Sequence, residues 1–356
     1  MRSGGAESLP HMTTHRVRAA YLQDLTRRIF VAAGTPEQIA ADVAEILVNA
    51  NLTGHDSHGV LRIPWYLEAV QKGEIVQDAE PSVLKETAST LLVDGRRGFG
   101  HYVARWAMDH AIDKAEQAGV CCVSLTRLNH IGRLGEYAEQ AARAGSIGIV
   151  TWGSAEPGQE TTVPYGGARG ALGTNPIAAG VPAGERPAFI LDYATSIIAV
   201  GKIHAARSRG IDLPHGSLID KHGRASVRPE DFYEGGYVLP AGGHKGYALS
   251  LLNCLLGGLS GQFDAQRVAM EGGFMLVINV GAFLPPADYR RAVASLLDGV
   301  KSTPPAEGFH EILIPGEPED RSRTQRLAEG IDVPPTIWSQ IADAAQKLGV
   351  SVGDSE

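Results

Sequence analysis

The chain has 356 residues, enough for one large domain or two to three ordinary ones, and 43 of them are glycine, above the usual share of about 7 %. Hydrophobic residues make up 44 % and the glycines have no three-residue period, which excludes a disordered chain and a collagen-like fibre. A net charge of −8 without a basic stripe gives no support for nucleic-acid binding, and no apolar run is long enough to cross a bilayer.

Cysteine and histidine usage argues against a disulfide framework and against a metal site. The cysteines are Cys121, Cys122 and Cys254, and the two that are adjacent cannot easily bridge each other. The 12 histidines are scattered, without a His-Glu-x-x-His pattern. Residues 1–14 are small and polar, which predicts a flexible tail and no signal peptide. Together these features predict a protein of the reducing cytoplasm without a bound metal.

Residues 15–80 are predicted to form a helical lobe. Apolar residues recur at helical spacing over three segments, which are 17–33, about 36–54 and 61–72. Thr35 is the expected N-cap of the second helix, and Pro36 suits its first position.

From residue 81 to about 350 the pattern changes to alternating strands and helices. Predicted strands cover 90–94, 120–125, 147–152, 189–191, 275–280 and 310–314. Predicted helices cover 104–118, 133–144, 241–257, 286–300 and 338–348. Segments 153–180 and 210–240 are dense in turn residues and are predicted as loops, the first of them functional because of its length. The alternation predicts an α/β fold for residues 81–350.

The clearest acid–base motif follows the second helix, where Ser57 and His58 precede Arg62 and Tyr66. His58, Arg62 and Tyr66 are spaced by four, which would place them on one face of a helix. Arginine holds a carboxylate through two hydrogen bonds, and histidine passes protons near neutral pH. The alternative is that Ser57 caps a helix and the others are ordinary polar positions. A serine hydrolase is disfavoured because no Gly-x-Ser-x-Gly elbow occurs.

Two further candidates follow predicted strands. Asn129 and His130 come after the strand over 120–125, and ligand groups gather beyond strand ends in open α/β sheets. His130 is therefore a second acid–base candidate, although a capping or packed histidine explains it equally well. Asp192 closes the strand over 189–191, where a carboxylate can orient an imidazole or bind ribose hydroxyls. Capping the next helix is the commoner role of an aspartate in that position.

Glycines cluster at two places where bare backbone can approach a phosphate. The first cluster includes Gly173, Thr174 and Asn175, and plain turns explain it equally well. The second, Gly242-Gly243, precedes Lys245 and opens an apolar helix, so backbone N–H groups, the helix dipole and an ammonium group converge there. Neither G-x-G-x-x-G nor G-x-x-x-x-G-K-[ST] occurs, so neither a Rossmann fingerprint nor a P-loop is present.

Taken in order, these motifs resemble the malate/L-lactate dehydrogenase family of the non-Rossmann type, which includes ureidoglycolate, sulfolactate and diketogulonate enzymes and a cyclic-imine reductase. The resemblance runs from about residue 15 to 350. It rests on Asp56-Ser57-His58-Gly59-Val60 with Arg62 and Tyr66, Asn129-His130 with Gly132, Gly166-Gly167, Gly173-Thr174-Asn175-Pro176, Asp192 with Ala194-Thr195-Ser196, Gly201-Lys202, Gly242-Gly243, Lys245-Gly246-Tyr247 and Pro315-Gly316-Glu317. Each motif is short, but the ordered set is specific.

The resemblance implies hydride transfer between NAD or NADP and a small 2-hydroxy or 2-keto acid. It also implies a homodimer with a mixed-sheet, non-Rossmann α/β fold whose helical lobe contributes to the active site. The implied catalytic residues are Ser57, His58, Arg62, Tyr66, His130 and Asp192. The implied cofactor contacts are Ser154, Gly173, Thr174, Asn175, Asp192, Tyr193, Ala194, Lys245, Gly316, Glu317 and Pro318. Family members differ in which histidine carries the proton, so His58 and His130 both stay candidates.

The substrate and the choice between NAD and NADP stay open, because the chain departs from the family at several positions. Tyr193 replaces a frequent Met, His244 a frequent Tyr or Pro, and Ala248 a frequent Gly. The alternatives are an NAD(P)H-dependent reductase of cyclic 2-imino acids, a ureidoglycolate-type dehydrogenase and, in a different class, a cofactor-binding sensor without turnover. The pair of histidines argues against the sensor. The expected partners are a small anionic substrate and a second copy of the chain, with no nucleic acid and no membrane.

Overall fold

The computed structural model of the protein describes residues 15–158, 160–264, 266 and 269–353, so the predicted tail over 1–14 lies outside the described residues. The helices are α1 (Ala19–Ala32), α2 (Glu37–Leu52), α3 (Ile63–Gln71), α4 (Gly100–Ala118), α5 (Gly135–Arg143), α6 (Val200–Arg209), α7 (Pro229–Tyr233), α8 (His244–Gly257), α9 (Pro286–Lys301), α10 (Glu317–Glu329) and α11 (Pro335–Lys347). The strands are β1 (His15–Val17), β2 (Ser82–Glu86), β3 (Thr90–Asp94), β4 (Val120–Thr126), β5 (Ser146–Ser154), β6 (Ile177–Val181), β7 (Phe189–Tyr193), β8 (Leu218–Ile219), β9 (Ala225–Ser226), β10 (Tyr237–Val238), β11 (Phe263–Asp264), β12 (Ala269–Asn279) and β13 (Ile331–Val333).

The chain divides into two compact units. The first contains residues 15–73 together with 321–353, and the second contains residues 74–320. The C-terminal helix α11 therefore belongs with α1–α3, whereas the sequence pattern places it with the α/β region. In the first unit, β1 and β13 pair antiparallel, with His15 opposite Val333. Its core is built largely from the apolar stripes of α1 and α2, which include Leu22, Leu25, Ile29, Ile39, Val43 and Leu47.

The second unit is built on an eight-stranded mixed sheet in the order β2-β3-β4-β12-β5-β6-β7, with β11 paired to β12. Only β3 and β4 run parallel among the paired strands that the structure describes, and β12 is antiparallel to both β4 and β5. A doubly wound dinucleotide-binding fold needs a mostly parallel sheet. The predicted mixed-sheet, non-Rossmann α/β fold is therefore confirmed.

Glycines in β5 let two helices approach opposite faces of this sheet. A Cβ at Gly148 would lie 2.5 Å from the Ala141 Cβ of α5, and a Cβ at Gly153 would overlap the backbone of Asn253 in α8. Residues 148 and 153 are an odd number of positions apart, so they face opposite sides of the strand. Part of the glycine excess thus serves helix–sheet packing, and α5 and α8 cover opposite faces.

Several predicted elements differ from the observed ones. Residues 310–314 form no strand, because no neighbouring strand offers them hydrogen bonds. The predicted loop 153–180 ends in strand β6, and the predicted loop 210–240 contains α7 and the three-stranded sheet β10-β8-β9. Helix α10 is almost wholly polar and so lacks the apolar period by which helices are predicted. The Thr35 hydroxyl caps nothing: it is buried without a hydrogen-bond partner.

Candidate functional site

The Ser57–Arg62 segment of the first unit does not lie on one helix face, contrary to the prediction. Two single 3-10 turns, Asp56–His58 and Val60–Arg62, are separated by Gly59 in an extended conformation, and α3 starts only after them. The bend still brings three polar groups into contact. Ser57 Oγ lies 3.0 Å from His58 Nδ1, and Arg62 Nε donates to the Ser57 carbonyl at 2.9 Å. Ser57 thus contacts the histidine and does not cap a helix.

Two residues that the sequence did not single out hold this segment in place. Asn51 Nδ2 donates to Asp56 Oδ1 at 2.7 Å, and Asn51 Oδ1 accepts from the Val60 N–H at 2.9 Å. Arg326 of α10 donates to both Asp56 oxygens and to the Asn51 carbonyl. Asn51 reads as one more residue of an apolar helix, and Arg326 lies 270 residues from Asp56, so no local pattern identifies either of them.

Arg62 and Tyr66 differ sharply in access to solvent. Arg62 is half-buried, its guanidinium carbon lies 5.9 Å from the Trp65 ring centroid, and none of the described carboxylates pairs with it. A guanidinium without a carboxylate partner suits an anionic ligand. Tyr66 is 0 % exposed, and burial raises the pKa of its phenol well above the usual range while the Arg62 charge opposes the shift. Tyr66 is therefore a packed phenol that stays protonated, and it does not share an exposed face with Arg62.

In the second unit, Asn129 and His130 follow strand β4 as predicted. The Asn129 side-chain amide donates to the backbone carbonyls of Glu74, Arg97 and Gly98 at 2.8–3.2 Å, which ties this loop to the end of β3. His130 is half-buried. The loop therefore holds an accessible imidazole next to the carboxyl ends of two parallel strands, where ligand groups gather in such sheets.

Asp192, at the end of β7, is bound to the loop that carries His130. Its Oδ2 accepts from the Gly135 N–H at the start of α5 at 2.8 Å and lies 3.3 Å from Arg133 Nε. The side chains of Arg133 and Asp192 are only 2 % and 13 % exposed. The carboxylate thus caps a helix, the commoner of the expected roles, but it is the helix after His130 and not the one after β7. Arg133 was not identified from the sequence, where it reads as an ordinary surface residue.

Ser154 and Asn175 belong to one buried polar network. Asn175 adopts a left-handed conformation with φ of 40°, and its Oδ1 accepts from the Ser154 N–H at 2.8 Å. Its Nδ2 lies 2.9 Å from Ser250 Oγ and 3.1 Å from Cys254 Sγ, both in α8. Burial raises the pKa of the Cys254 thiol to about 11, so it remains protonated at neutral pH. The network locks the glycine-rich segment onto the end of β5.

Backbone hydrogen bonds connect this network to the other predicted cofactor segments. The Gly173 N–H donates to the Ser154 carbonyl at 2.9 Å, and the Thr174 carbonyl accepts from Thr195, two residues after Tyr193. The Thr195 carbonyl in turn accepts from Ala241 N–H at 2.8 Å, just before the turn that opens α8. The structure thereby brings together Ser154, Gly173, Thr174, Asn175, the end of β7 with Tyr193 and Ala194, and the approach to Lys245.

The turn before α8 leaves a helix N-terminus open. Gly242 and Gly243 both have left-handed φ values, of 61° and 65°, and no side chain caps the helix. Lys245 is exposed, and none of the described carboxylates pairs with it. A helix N-terminus without a side-chain cap and a lysine at the same helix end are together suited to an anion.

Gly316 and Glu317 lie beside the beginning of β7. Gly316 has a φ of 99°, and a Cβ there would lie 3.0 Å from the Ala188 carbonyl. Glu317 pairs with Lys301 and Arg186 and accepts from the Ile314 N–H at 3.2 Å. Both oxygens of the Glu317 carboxylate are thus used within the protein. Pro318 follows in the first turn of α10.

The described part of the chain contains no group of three or more His, Cys, Asp or Glu side chains suited to a metal ion. Among the same residues, no helix combines the length and apolar character needed to cross a membrane.

The chain was compared with known proteins. A sequence model described as malate/L-lactate dehydrogenase matches residues 17–342. The L-sulfolactate dehydrogenase of Methanocaldococcus jannaschii is 37% identical over 330 residues, covering 90% of this chain and 94% of that protein. Hydroxycarboxylate dehydrogenase B of Escherichia coli K12 is 35% identical over 347 residues, covering 94% and 95%.

A solved structure of a Δ1-piperideine-2-carboxylate reductase from Pseudomonas syringae superposes with a TM-score of 0.81 at 32% identity, covering 93% of this chain and 100% of that one. The sequence match extends over almost the whole described chain, and the relatives are matched over almost their full lengths. The chain therefore belongs to the malate/L-lactate dehydrogenase family.

Proposed function

We propose that the protein catalyses the reversible, NAD(P)-dependent conversion of a small 2-hydroxy acid into its 2-keto acid. The observation that carries the proposal is the Ser57–Arg62 segment. There, an imidazole in contact with a hydroxyl lies four residues from a guanidinium that pairs with no carboxylate among the residues the structure describes. An acid–base group and a carboxylate-binding group are the two side chains that this reaction needs at its substrate.

In this proposal Arg62 binds the substrate carboxylate and a histidine exchanges the proton of the hydroxyl or carbonyl oxygen. Ser57 restrains the His58 ring through the 3.0 Å contact between its Oγ and His58 Nδ1. His130 is the second candidate because it is accessible on a loop that its neighbours hold firmly. A positioned acid–base group contributes roughly 10²–10⁴ in rate. Tyr66, being buried, supports the segment through packing.

The second unit suits a dinucleotide. When bound, NAD or NADP accepts or supplies the hydride at the substrate carbon. The open N-terminus of α8, its left-handed glycine turn and Lys245 would hold the phosphates. The other cofactor contacts would come mainly from backbone groups of Ser154 and of segments 173–175, 192–194 and 316–318. The Asn175, Asp192 and Glu317 side chains in these segments already have partners within the protein.

Cofactor binding is tested by following NADH and NADPH fluorescence in titrations of the wild type, Lys245→Ala and a control, Lys221→Ala. Lys221 is an exposed lysine of the same unit that lies outside the proposed site. We expect Lys245→Ala to weaken binding of the preferred cofactor by about tenfold, the value of one charge-assisted contact of roughly 1.4 kcal/mol. Equal affinities for all three proteins would contradict the assignment of Lys245.

The reaction is tested by measuring oxidation of NADH and NADPH with pyruvate, oxaloacetate, 2-ketoglutarate and sulfopyruvate. We expect turnover with at least one of these acids and a loss of roughly 10²-fold or more in kcat for the histidine that carries the proton. Full kcat in both His58→Ala and His130→Ala would end the proton-transfer assignment. The Arg62→Lys variant is expected mainly to raise the KM for the keto acid, because lysine lacks the two-pronged contact.

A second candidate is the reduction of cyclic 2-imino acids, which the structural similarity to a Δ1-piperideine-2-carboxylate reductase favours. That reaction uses the same carboxylate contact but delivers the proton to nitrogen. The same assay with Δ1-piperideine-2-carboxylate separates the two. Turnover of the imine without turnover of any keto acid would replace the first proposal.

We also propose that the enzyme is a homodimer working in the cytoplasm. Leu251, Leu255 and Leu259 follow each other at helical spacing along the exposed side of α8 and the turn after it. Contiguous exposed apolar residues of this kind mark association surfaces. Sedimentation of the wild type and of Leu255→Glu tests this, since the variant is expected to become monomeric. All three cysteines are free thiols, which suits a reducing compartment.

A further inference from the structure

We propose that His101 is a positioning residue for His130, and that its buried ring holds the His130 imidazole in the orientation needed for proton exchange. The inference deepens the proposed function and rests on His130 exchanging a proton with the substrate. His101 is not part of any motif in the sequence. It is the second residue of α4, in the same unit as His130 and 29 positions before it.

The two imidazoles are in ring-to-ring contact. Their centroids are 6.1 Å apart and their planes are inclined by 78°, which is an edge-to-face arrangement. Aromatic rings prefer this geometry at centroid distances of roughly 4.5–7 Å, and it defines an orientation as well as a distance. His101 is 0 % exposed, whereas His130 is half-buried. A ring fixed in the core therefore contacts a ring that reaches solvent.

The backbone around His130 is fixed by other contacts. A Cβ at Gly100 would overlap the carbonyl oxygen of Asn129, and the Tyr137 hydroxyl donates to the Ile131 carbonyl at 2.5 Å. These contacts hold the main chain on both sides of His130, so the orientation of its imidazole depends on side-chain rotation. Contact with His101 restricts that rotation.

Gly132 leaves the space that the His101 ring occupies. Its φ is 72°, a left-handed value that favours glycine, and a Cβ at this position would lie 2.8 Å from His101 Nε2. The loop that carries His130 therefore passes the His101 ring so closely that no side chain fits.

The test is a double-mutant cycle in the full-length enzyme, with His101→Gln, His130→Gln and the double variant. His110→Gln is the matched control, because His110 lies on the exposed side of the same helix and stacks on Trp106 instead. We expect His101→Gln to lower kcat by about tenfold to a hundredfold, the range expected for a misplaced catalytic group, with KM and cofactor affinity changed less than about threefold. In the His130→Gln background the same substitution is expected to change kcat less than about twofold.

His101→Phe keeps an aromatic ring at this position and serves as the conservative variant. We expect His101→Phe to recover most of the kcat that His101→Gln loses. If the substitutions acted only through a general loss of stability, kcat would be lowered equally in the two variants. Thermal unfolding of each variant identifies a protein that has failed to fold, in which case the comparison rests on the variant that folds.

Three outcomes would overturn the inference. An unchanged kcat in His101→Gln, with His130→Gln impaired, would remove the positioning role alone. An equal fold-loss in both backgrounds would show that His101 acts independently of His130. Full kcat in His130→Gln would remove the proposed role of His130 itself, and with it the basis of this inference.

Discussion

Arg326 binds Asp56 through two hydrogen bonds, with Nη1 2.6 Å from Oδ1 and Nη2 3.1 Å from Oδ2. Asp56 immediately precedes Ser57 and His58, and Arg326 comes from a helix 270 positions further along the chain. The same guanidinium also donates to the Asn51 carbonyl. The C-terminal part of the chain therefore fixes the start of the acid–base segment through one side chain.

The first prediction concerns this ion pair. Arg326→Ala is expected to lower the free energy of unfolding by about 1–2 kcal/mol. Charge-assisted hydrogen bonds stabilise more than neutral ones, but solvent weakens this pair because both groups remain partly exposed. The variant is expected also to lower kcat/KM, because Asp56 then keeps only its hydrogen bond from Asn51 among the contacts described above. The control is Arg291→Ala, which removes the exposed pair with Asp288 in α9 and should cost less than about 0.5 kcal/mol. Similar losses in the two variants, measured by urea unfolding, would contradict this account.

The second prediction concerns Gly59. Its φ of −93° is open to any residue, but a Cβ there would overlap the Asn51 side chain that binds Asp56 and Val60. Gly59→Ala is therefore expected to destabilise the protein by about 2–3 kcal/mol through steric displacement alone. Gly299→Ala, with open space around the position in α9, is expected to be neutral or stabilising by up to about 1 kcal/mol. Thermal unfolding of both variants checks the contrast.

The third prediction concerns the buried pair of Arg133 and Asp192. Arg133→Ala is expected to lower the free energy of unfolding by about 3–5 kcal/mol, because it leaves a carboxylate buried without its cation. The pair of Arg143 and Glu139 in α5 provides the control, because the Arg143 side chain is 56% exposed, and Arg143→Ala should lower the free energy of unfolding by less than about 1 kcal/mol. Asp192→Asn should lower the free energy of unfolding less in the Arg133→Ala background than in the wild type. Additive losses would mean that the two residues do not act as a pair.

The fourth prediction concerns pH and Glu317. Burial alone would raise the pKa of its carboxyl. The pKa is nevertheless held below its ordinary value of 4.5 by hydrogen bonds from Lys301 and the Ile314 N–H and by the positive charges of Lys301 and Arg186. A carboxyl with a lowered folded-state pKa stabilises the protein above its unfolded-state pKa, and this contribution is lost as the pH falls through the folded value. Glu317→Gln should therefore unfold at lower urea concentration than the wild type at pH 7.

The difference between the two proteins is expected to shrink as the pH falls from 5 towards 3, because the wild-type carboxyl is then protonated as well. Urea midpoints at pH 7, 5 and 3 provide the measurement. Glu311→Gln, which removes the more exposed partner of Lys301, should have a smaller effect at every pH. A difference between wild type and Glu317→Gln that stays constant over this range would show that the charge of Glu317 contributes nothing.

The spacing of apolar residues correctly predicted those helices and strands in which the spacing can be recognised within a single segment. The strand over 90–94 occurs with the predicted bounds, and the helices over 104–118 and 286–300 occur within a few residues of theirs. The strand over 310–314 was wrong because strand formation depends on a neighbour, which the segment itself does not reveal. The almost wholly polar helix α10 was missed because helix prediction depends on an apolar stripe that it lacks.

The sequence by itself determined the family, through the order of short motifs from Asp56 to Glu317, and with it the class of reaction. Only the tertiary structure decided how those residues are held: His58 by Ser57 in a bent segment, Asp192 by Arg133, Asn175 by α8. It also showed that part of the glycine excess lets helices approach the sheet at Gly148 and Gly153. Contacts between residues far apart in the chain leave no periodic signal, because each partner alone looks like an ordinary polar residue or an ordinary turn.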